Sequence, residues 1–259
     1  FPTRRSSDLI KFANVNGTGS ASANGMFAKA IFRMGIPVSP RNIFPSNIQG
    51  LPTWYEVRIS QDGYLGRRGG IDMMVSVNPQ SFAKDVGEVE PGGYMLYDST
   101  KPLNLRHVRR DIHYLGIPLT EMCLREYTDS RQRQLFKNVI YVGALSALLN
   151  IDFAILKDLV SEQFKGKEKL ITPNIHALEM GHQYASTHFE CPLGIHLKAG
   201  EQTPKHIQEF DQILMDGNTA TALGAVYAGA TVAAWYPITP STSVVDAFEI
   251  GRASCRERV

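Results

Sequence analysis

Trp235-Tyr236-Pro237-Ile238-Thr239-Pro240-Ser241-Thr242 closes a run of small residues, Gly217-Asn218-Thr219-Ala220-Thr221-Ala222-Leu223-Gly224-Ala225-Val226-Tyr227-Ala228-Gly229-Ala230. Asp216, Gly217 and Asn218 are turn and helix-start residues, so the Ala/Gly run reads as a short helix with a bare surface. Thr231 to Trp235 reads as a short apolar strand. Two prolines then flank Thr239, each fixing its own φ and pushing the residue before it towards extended geometry. A hydroxyl on a stiff segment at a strand's carboxyl end stands where open α/β sheets place ligands. An ordinary Pro-rich strand exit has the same shape.

The wording of the stretch is more specific than its shape. Gly-Asn-x-Ala-x-Ala-Leu-Gly-Ala followed by Tyr-Pro-Ile-Thr-Pro-Ser resembles the start of the pyrimidine-binding domain in the α subunit of 2-oxoacid:ferredoxin oxidoreductases, which are thiamine-diphosphate enzymes. The resemblance implies that Thr239 is catalytic, pointing at the 2-oxoacid and the thiamine. It also implies that Tyr236, Pro237, Ile238, Pro240 and Ser241 form the substrate and thiamine loop.

The two ends read differently. Phe1 to Leu9 and Ile250 to Glu257 can be encoded by opposite strands of one oligonucleotide resembling a sequencing adapter. The expectation is that residues 1–9 and 250–259 are not native, and that the pyrimidine-binding domain is cut short after residue 249. Arg4, Arg5 and Asp8 carry +1, and Arg252, Arg256, Arg258 and Glu257 carry +2. Subtracting both from the formal +2 leaves −1 for the remainder. The basic balance is therefore no argument for nucleic acid. With no run of 18 apolar residues and no secretory segment, the expectation is a cytoplasmic protein without a membrane span.

Setting Cys255 aside leaves Cys123 and Cys191, far apart and without a C-x-x-C. Neither a four-thiolate zinc site nor an iron–sulfur cluster can be built from them, so no metal is assigned to this chain.

From the start, Ile10 to Val15 reads as a strand running into Asn16-Gly17-Thr18-Gly19-Ser20-Ala21-Ser22-Ala23-Asn24. A helix follows from Gly25 to Met34, with Met26, Phe27, Ala30, Ile31 and Met34 on one face. Strand, Gly-rich turn and helix together make a cradle for an anion, and Gly17, Thr18, Gly19 and Ser20 are the candidate loop. A plain tight turn fits as well, because the third Gly of the dinucleotide fingerprint is missing. The γ domain of the same enzymes opens with a comparable strand and Gly-rich loop, so the resemblance implies CoA as the anion. In that domain an Arg-Gly-Gly segment precedes a Val-Arg-Ile-Ser strand. Here Gln49-Gly50-Leu51 takes its place before Val57-Arg58-Ile59-Ser60, while Arg67-Arg68-Gly69-Gly70 comes later and reads as solvated loop.

Asn42 to Arg58 reads as a loop entering the strand Glu56 to Ile59. Ile71 to Val77 is a continuous apolar strand of the kind parallel sheets bury. After a short helix at Asn78-Pro79 come strands at Tyr94 to Tyr97 and Asp111 to Ile117. The alternation predicts a doubly wound, Rossmann-like α/β domain. Ser130 to Asn150 is the strongest helix, with Leu135, Val139, Val142, Leu145 and Leu149 in one stripe. Asp152 to Phe164 is a second helix, Gly166 to Lys169 a polar break, and Thr172-Pro173 the start of a third that ends near His188. His176, Glu179 and His182 on that helix read as solvated rather than as a metal site.

The expected organisation is a γ domain over 10–198, a linker over 199–215 and the start of the pyrimidine-binding domain over 216–249. By resemblance such a chain works in a heteromer with a β subunit that holds thiamine diphosphate, Mg²⁺ and an iron–sulfur cluster. The implied reaction is oxidative decarboxylation of a 2-oxoacid to acyl-CoA, with electrons passed to ferredoxin, and the chain alone is expected to be inactive. Two other readings stand beside it. A nicotinamide-dependent Rossmann dehydrogenase needs an acidic ribose partner about 20 residues past the loop, and none lies between Asn14 and Thr53. A non-catalytic subunit-assembly module needs none.

Overall fold

The computed structural model describes residues 7–43, 45, 48–60, 63–66, 69–198, 213–236, 238 and 241–256. The chain divides into two compact units, Phe1–Phe210 and Asp211–Val259.

The first unit is built on one six-stranded sheet of mixed direction. In chain order its elements are β1 (Ser7–Val15), α1 (Ser20–Arg33), β2 (Val38–Ile43), β3 (Pro52–Ser60), β4 (Ile71–Ser76), α2 (Phe82–Glu88) and β5 (Val89–Asp98). A 3₁₀ turn, Leu105–His107, leads to β6 (His113–Ile117), α3 (Leu119–Glu126), α4 (Ser130–Leu148), α5 (Phe153–Gln163) and α6 (Glu168–His188). The strand order is β2-β3-β1-β4-β5-β6. β1, β4, β5 and β6 run parallel, and β3 joins β1 antiparallel with β2 antiparallel at the edge.

The parallel half follows from the sequence pattern. All six residues of β4 are buried, as a strand covered on both faces requires. One face packs against α1 and α3 to α6 around Ile10, Phe12, Phe27, Val57, Leu96, Tyr141 and Leu145. The other is a smaller cluster of Leu9, Ala13, Trp54, Met74, Met95 and Val86 of α2.

Several expectations are corrected. β1 begins at Ser7, three residues before the expected Ile10, because Ser7, Asp8 and Leu9 pair with Ser60, Ile59 and Arg58 of β3. α1 begins at Ser20 rather than Gly25. The loop expected over Asn42 to Arg58 is shorter, since β2 runs to Ile43 and β3 begins at Pro52 rather than Glu56. Pro40 lies within β2, and its missing N–H is tolerated because β2 is the sheet edge. α6 starts at Glu168, so Pro173 sits inside the helix and Thr172 is no N-cap. Gly166, at φ +80°, makes the break instead. The stripe expected on α4 is also too narrow. Beyond Lys137 every residue to Leu148 is buried, because the helix is wedged between the sheet and α6.

α4 and α6 cross with backbones in contact. A methyl group on Gly143 would lie 2.0 Å from Leu178 O, and one on Gly181 1.9 Å from Ile140 O. One turn along, His182 is half-buried against Phe153, with ring centroids 4.7 Å apart. Its Nδ1 lies 2.8 Å from Ser146 Oγ, whose hydroxyl donates to Gly143 O at 2.6 Å. The imidazole is therefore the Nδ1–H donor and the serine hydroxyl is committed to the backbone. Burial lowers the His182 pKa. A lowered histidine pKa gives stability that is complete above the unfolded value of about 6.5 and is lost as pH falls through the folded value. Thermal melts between about pH 7.5 and 5.5 should show the wild-type Tm falling faster with acid than that of His182→Gln. Parallel slopes would remove His182 from the pH response.

The second unit, described by itself, holds α7 (Gly217–Tyr227) and α8 (Thr242–Arg256). Asp216 caps α7, accepting from the Thr219 N–H at 2.9 Å. Ala222, Ala247 and Phe248 form the contact between the helices, and Asn218 Nδ2 donates to Ser243 Oγ at 2.8 Å. The expected strand over Thr231 to Trp235 is not formed. These residues are exposed and unpaired, because no strand among the described residues of this unit offers them a ladder partner.

Candidate functional site

The Gly-rich loop lies at the carboxyl end of β1, where β1 adjoins β4 in the parallel part of the sheet. Gly17 and Gly19 have φ +86° and +74°, conformations that a side chain resists. Gly19 is the N-cap of α1 and offers no side-chain acceptor, and the first turn carries no acidic residue. The first-turn N–H groups and the positive end of the helix dipole thus face outward beside the exposed Ala21 and Ser22.

Four buttresses hold this loop. Thr18 Oγ1 donates to Val15 O at 2.7 Å. Asn138 of α4 donates to Thr18 O at 2.9 Å. The segment Gln49-Gly50-Leu51 closes it from the side: the Asn16 N–H donates to Leu51 O at 2.8 Å and the Gly50 N–H to Asn16 O at 3.0 Å. Beneath it lies a buried polar network. Tyr141 Oη donates to Asn24 Oδ1 at 2.7 Å, Asn24 Nδ2 to Asn14 Oδ1 at 3.1 Å, and Asn78 Nδ2 to Asn14 O at 3.2 Å. Burial pushes the Tyr141 phenol up, so it stays a neutral donor.

Both loop glycines are also hemmed in. A methyl on Gly17 would lie 2.7 Å from Gln49 Cγ, and one on Gly19 2.4 Å from Leu135 Cδ2. The outer face of Gly17 is thus covered, and the open approach runs to the first turn of α1. Arg131, one turn before Leu135 on α4, is exposed and makes no ion pair among the described residues. Lys137 is spoken for: its ammonium lies 3.1 Å from Asp98 Oδ2 and 2.6 Å from Thr120 Oγ1. Burial pushes the Asp98 carboxyl up. Hydrogen bonds from Thr120 and Thr100 and the Lys137 charge outweigh that and leave it below the usual range.

The predicted loop residues Gly17, Thr18, Gly19 and Ser20 are therefore brought together as one turn. Its supports were not foreseen. Gly50 carried one readable signal, a glycine in a Pro- and Asn-containing stretch, and it adopts φ +90°. Asn14, Asn24 and Tyr141 carried none beyond being polar residues in apolar stretches. Of the second predicted loop, Pro237, Thr239 and Pro240 lie outside the described residues, as do Arg67 and Arg68. Tyr236 and Ile238 are exposed, and Ser241 Oγ donates to Ile238 O at 2.7 Å. His176 faces Glu126 at 3.5 Å, and Glu179 pairs instead with Lys157 at 2.8 Å. Among the described residues no group of three or more metal-ligating side chains converges, and no helix is long and apolar enough to cross a membrane.

A parallel-strand core with a Gly-rich turn feeding a helix at its carboxyl edge defines a Rossmann-like α/β module. Residues 9–184 match the pyruvate ferredoxin/flavodoxin oxidoreductase family, and the chain belongs to it. Among similar proteins is the α subunit of 2-oxoacid:ferredoxin oxidoreductase 2 of Aeropyrum pernix. It is 25% identical over 263 residues, covering 87% of this chain and 40% of the relative. The 2-oxoglutarate synthase subunit KorC of Archaeoglobus fulgidus is 25% identical over 174 residues, covering 66% of this chain and 87% of that protein. The 2-oxoglutarate:ferredoxin oxidoreductase of Magnetococcus marinus, solved with 2-oxoglutarate, coenzyme A and succinyl-CoA bound, superposes with a TM-score of 0.81 at 24% identity. That match covers 97% of this chain and 42% of the other. The chain spans about two fifths of the length of such relatives.

Proposed function

We propose that this chain is the N-terminal part of an α subunit of a 2-oxoacid:ferredoxin oxidoreductase. The γ domain would occupy residues 10–198, a linker 199–215 and the start of the pyrimidine-binding domain 216–249. The complete enzyme would decarboxylate a 2-oxoacid oxidatively to its acyl-CoA and pass electrons to ferredoxin. The single observation that carries the reading is the bare, outward-facing N-terminus of α1 behind Gly19, in a chain of this family.

CoA fits that feature. The first-turn N–H groups beside Ala21 and Ser22, with the exposed Arg131 nearby, suit a phosphate. A dinucleotide fits less well. The Gln49 side chain covers the face of Gly17 that a pyrophosphate would approach, and no Asp or Glu lies between Asn14 and Thr53 to hold a ribose. Thiamine diphosphate, bound mainly by a partner β subunit, would supply the carbanion-stabilising chemistry. This chain's contribution to it would be the Tyr236–Ser241 loop. By resemblance to the family's Tyr-Pro-Ile-Thr-Pro motif, Thr239 is the loop hydroxyl assigned to the substrate carboxylate.

A neutral hydroxyl bonded to a carboxylate in a partly dry site is worth roughly 1.5–3 kcal/mol. In the complete enzyme, Thr239→Val keeps the β-branched shape and should lower kcat/KM by about tenfold to a hundredfold. Thr242→Val, at the first position of α8, should do little. Unchanged kinetics for Thr239→Val, or equal damage from both, would remove the assignment.

A further inference from the structure

The back of the sheet carries a second polar cleft, on the face opposite α1 and near the amino ends of the parallel strands. The strand register builds it. Ser39 of β2 pairs with Arg58 of β3, and Arg58 with Leu9 of β1. The next row on the same face is Arg41, Glu56 and Lys11, since strand side chains alternate with period two. With Glu88 of α2 these residues line a cleft of about 320 Å³.

The floor and the wall of this cleft differ in kind. On the floor, the buried Lys11 ammonium lies 2.5 Å from Glu88 and 3.5 Å from Glu56, so its charge is already used. On the wall, Arg41 is exposed, and neither its guanidinium nor the Ser39 hydroxyl makes a hydrogen bond or ion pair among the described residues. Arg58 stands beside Ser39 in the strand register. The guanidinium fork and the hydroxyl, two residues apart on one strand, share a face, and such a fork suits a planar or tetrahedral oxyanion.

We propose that this cleft binds the oxyanion group, phosphate or carboxylate, of a small molecule. It does not depend on the α1 loop or on Thr239. The ligand's charge meets Arg41 and its oxygen accepts from Ser39, while Lys11 with Glu56 and Glu88 forms the floor.

The test is a titration of the full chain with inorganic phosphate and, separately, succinate at constant ionic strength, read from backbone amide shifts. The expected result is saturable shifts centred on residues 39–41 and 56–58. Arg41→Gln should weaken that binding by about tenfold or more, as removal of a charge-assisted contact does. Ser39→Ala should weaken it by a smaller factor, and Arg131→Gln should leave it unchanged. The tighter of the two probes names the group, a phosphate or a carboxylate. Shifts that do not saturate with either probe overturn the proposal, as does an unchanged affinity in a folded Arg41→Gln.

Discussion

Gly181→Ala is expected to destabilise the first unit by about 3 kcal/mol or more, the upper end of what overpacking costs. The added methyl would stand 1.9 Å from Ile140 O and 2.8 Å from Ala144 N. Both are backbone atoms of α4, so no rotamer change can make room. The helices would have to part, and α4 cannot retreat because its other side is packed on the sheet through Tyr141, Leu145 and Leu148. Gly143→Ala meets Leu178 O at 2.0 Å in the same way. The two substitutions separate the same pair of helices, so their costs should combine to less than the sum. Gly87→Ala is the control. That glycine is exposed in α2 with nothing within 4 Å of the new methyl, and should gain roughly 0.5–1 kcal/mol from helix propensity. The readout is the urea midpoint at constant slope. A Gly181→Ala midpoint within error of wild type would refute the close crossing.

Asp85→Asn should cost about 2–4 kcal/mol, counting about 1–3 for each buried donor left without an acceptor. Asp85 is fully buried and accepts from Ser81 Oγ at 2.7 Å, Trp54 Nε1 at 2.9 Å and Ser76 Oγ at 3.0 Å. It thereby joins α2, β3 and β4 under the smaller face of the sheet. Burial raises its carboxyl pKa, and the three hydrogen bonds pull the other way. An amide has one acceptor oxygen and turns its NH₂ towards at least one of these donors. Trp54 reports the change directly. In a Trp235→Phe background it is the sole tryptophan, and its emission should shift to the red in the folded Asp85→Asn protein. An unmoved urea midpoint together with unshifted emission would show that the three donors find other acceptors.

Asp85 also shows where reading a sequence stops. Nothing in Phe82-Ala83-Lys84-Asp85-Val86 marks its aspartate as buried, because its three partners come from different segments. Elsewhere the limit was a local signal misread. Asn42 to Arg58 reads as a loop entering a strand at Glu56, yet β3 begins at Pro52. Thr172-Pro173 reads as a helix start, yet α6 begins at Glu168. Thr231 to Trp235 has a strand's composition, but a strand exists only where another supplies its hydrogen bonds.

The sequence by itself determined what depends on local pattern and unbroken wording. The apolar run at Ile71, the long helix from Ser130 and the Asp216 cap are of the first kind, and the family resemblance around Trp235 to Thr242 is of the second. The Gly17–Ser20 turn was also legible, because a glycine pair between a strand and a helix has few other uses. Only the tertiary structure decided that β3 enters antiparallel beside β1, bringing Ser39, Arg41 and Arg58 to one wall. It alone brought Gln49 and Leu135 against the loop glycines and set α4 against α6 through two glycines. These are pairings between residues distant in sequence. They are chosen by which surfaces bury each other and which donors find acceptors, and no single stretch carries that information.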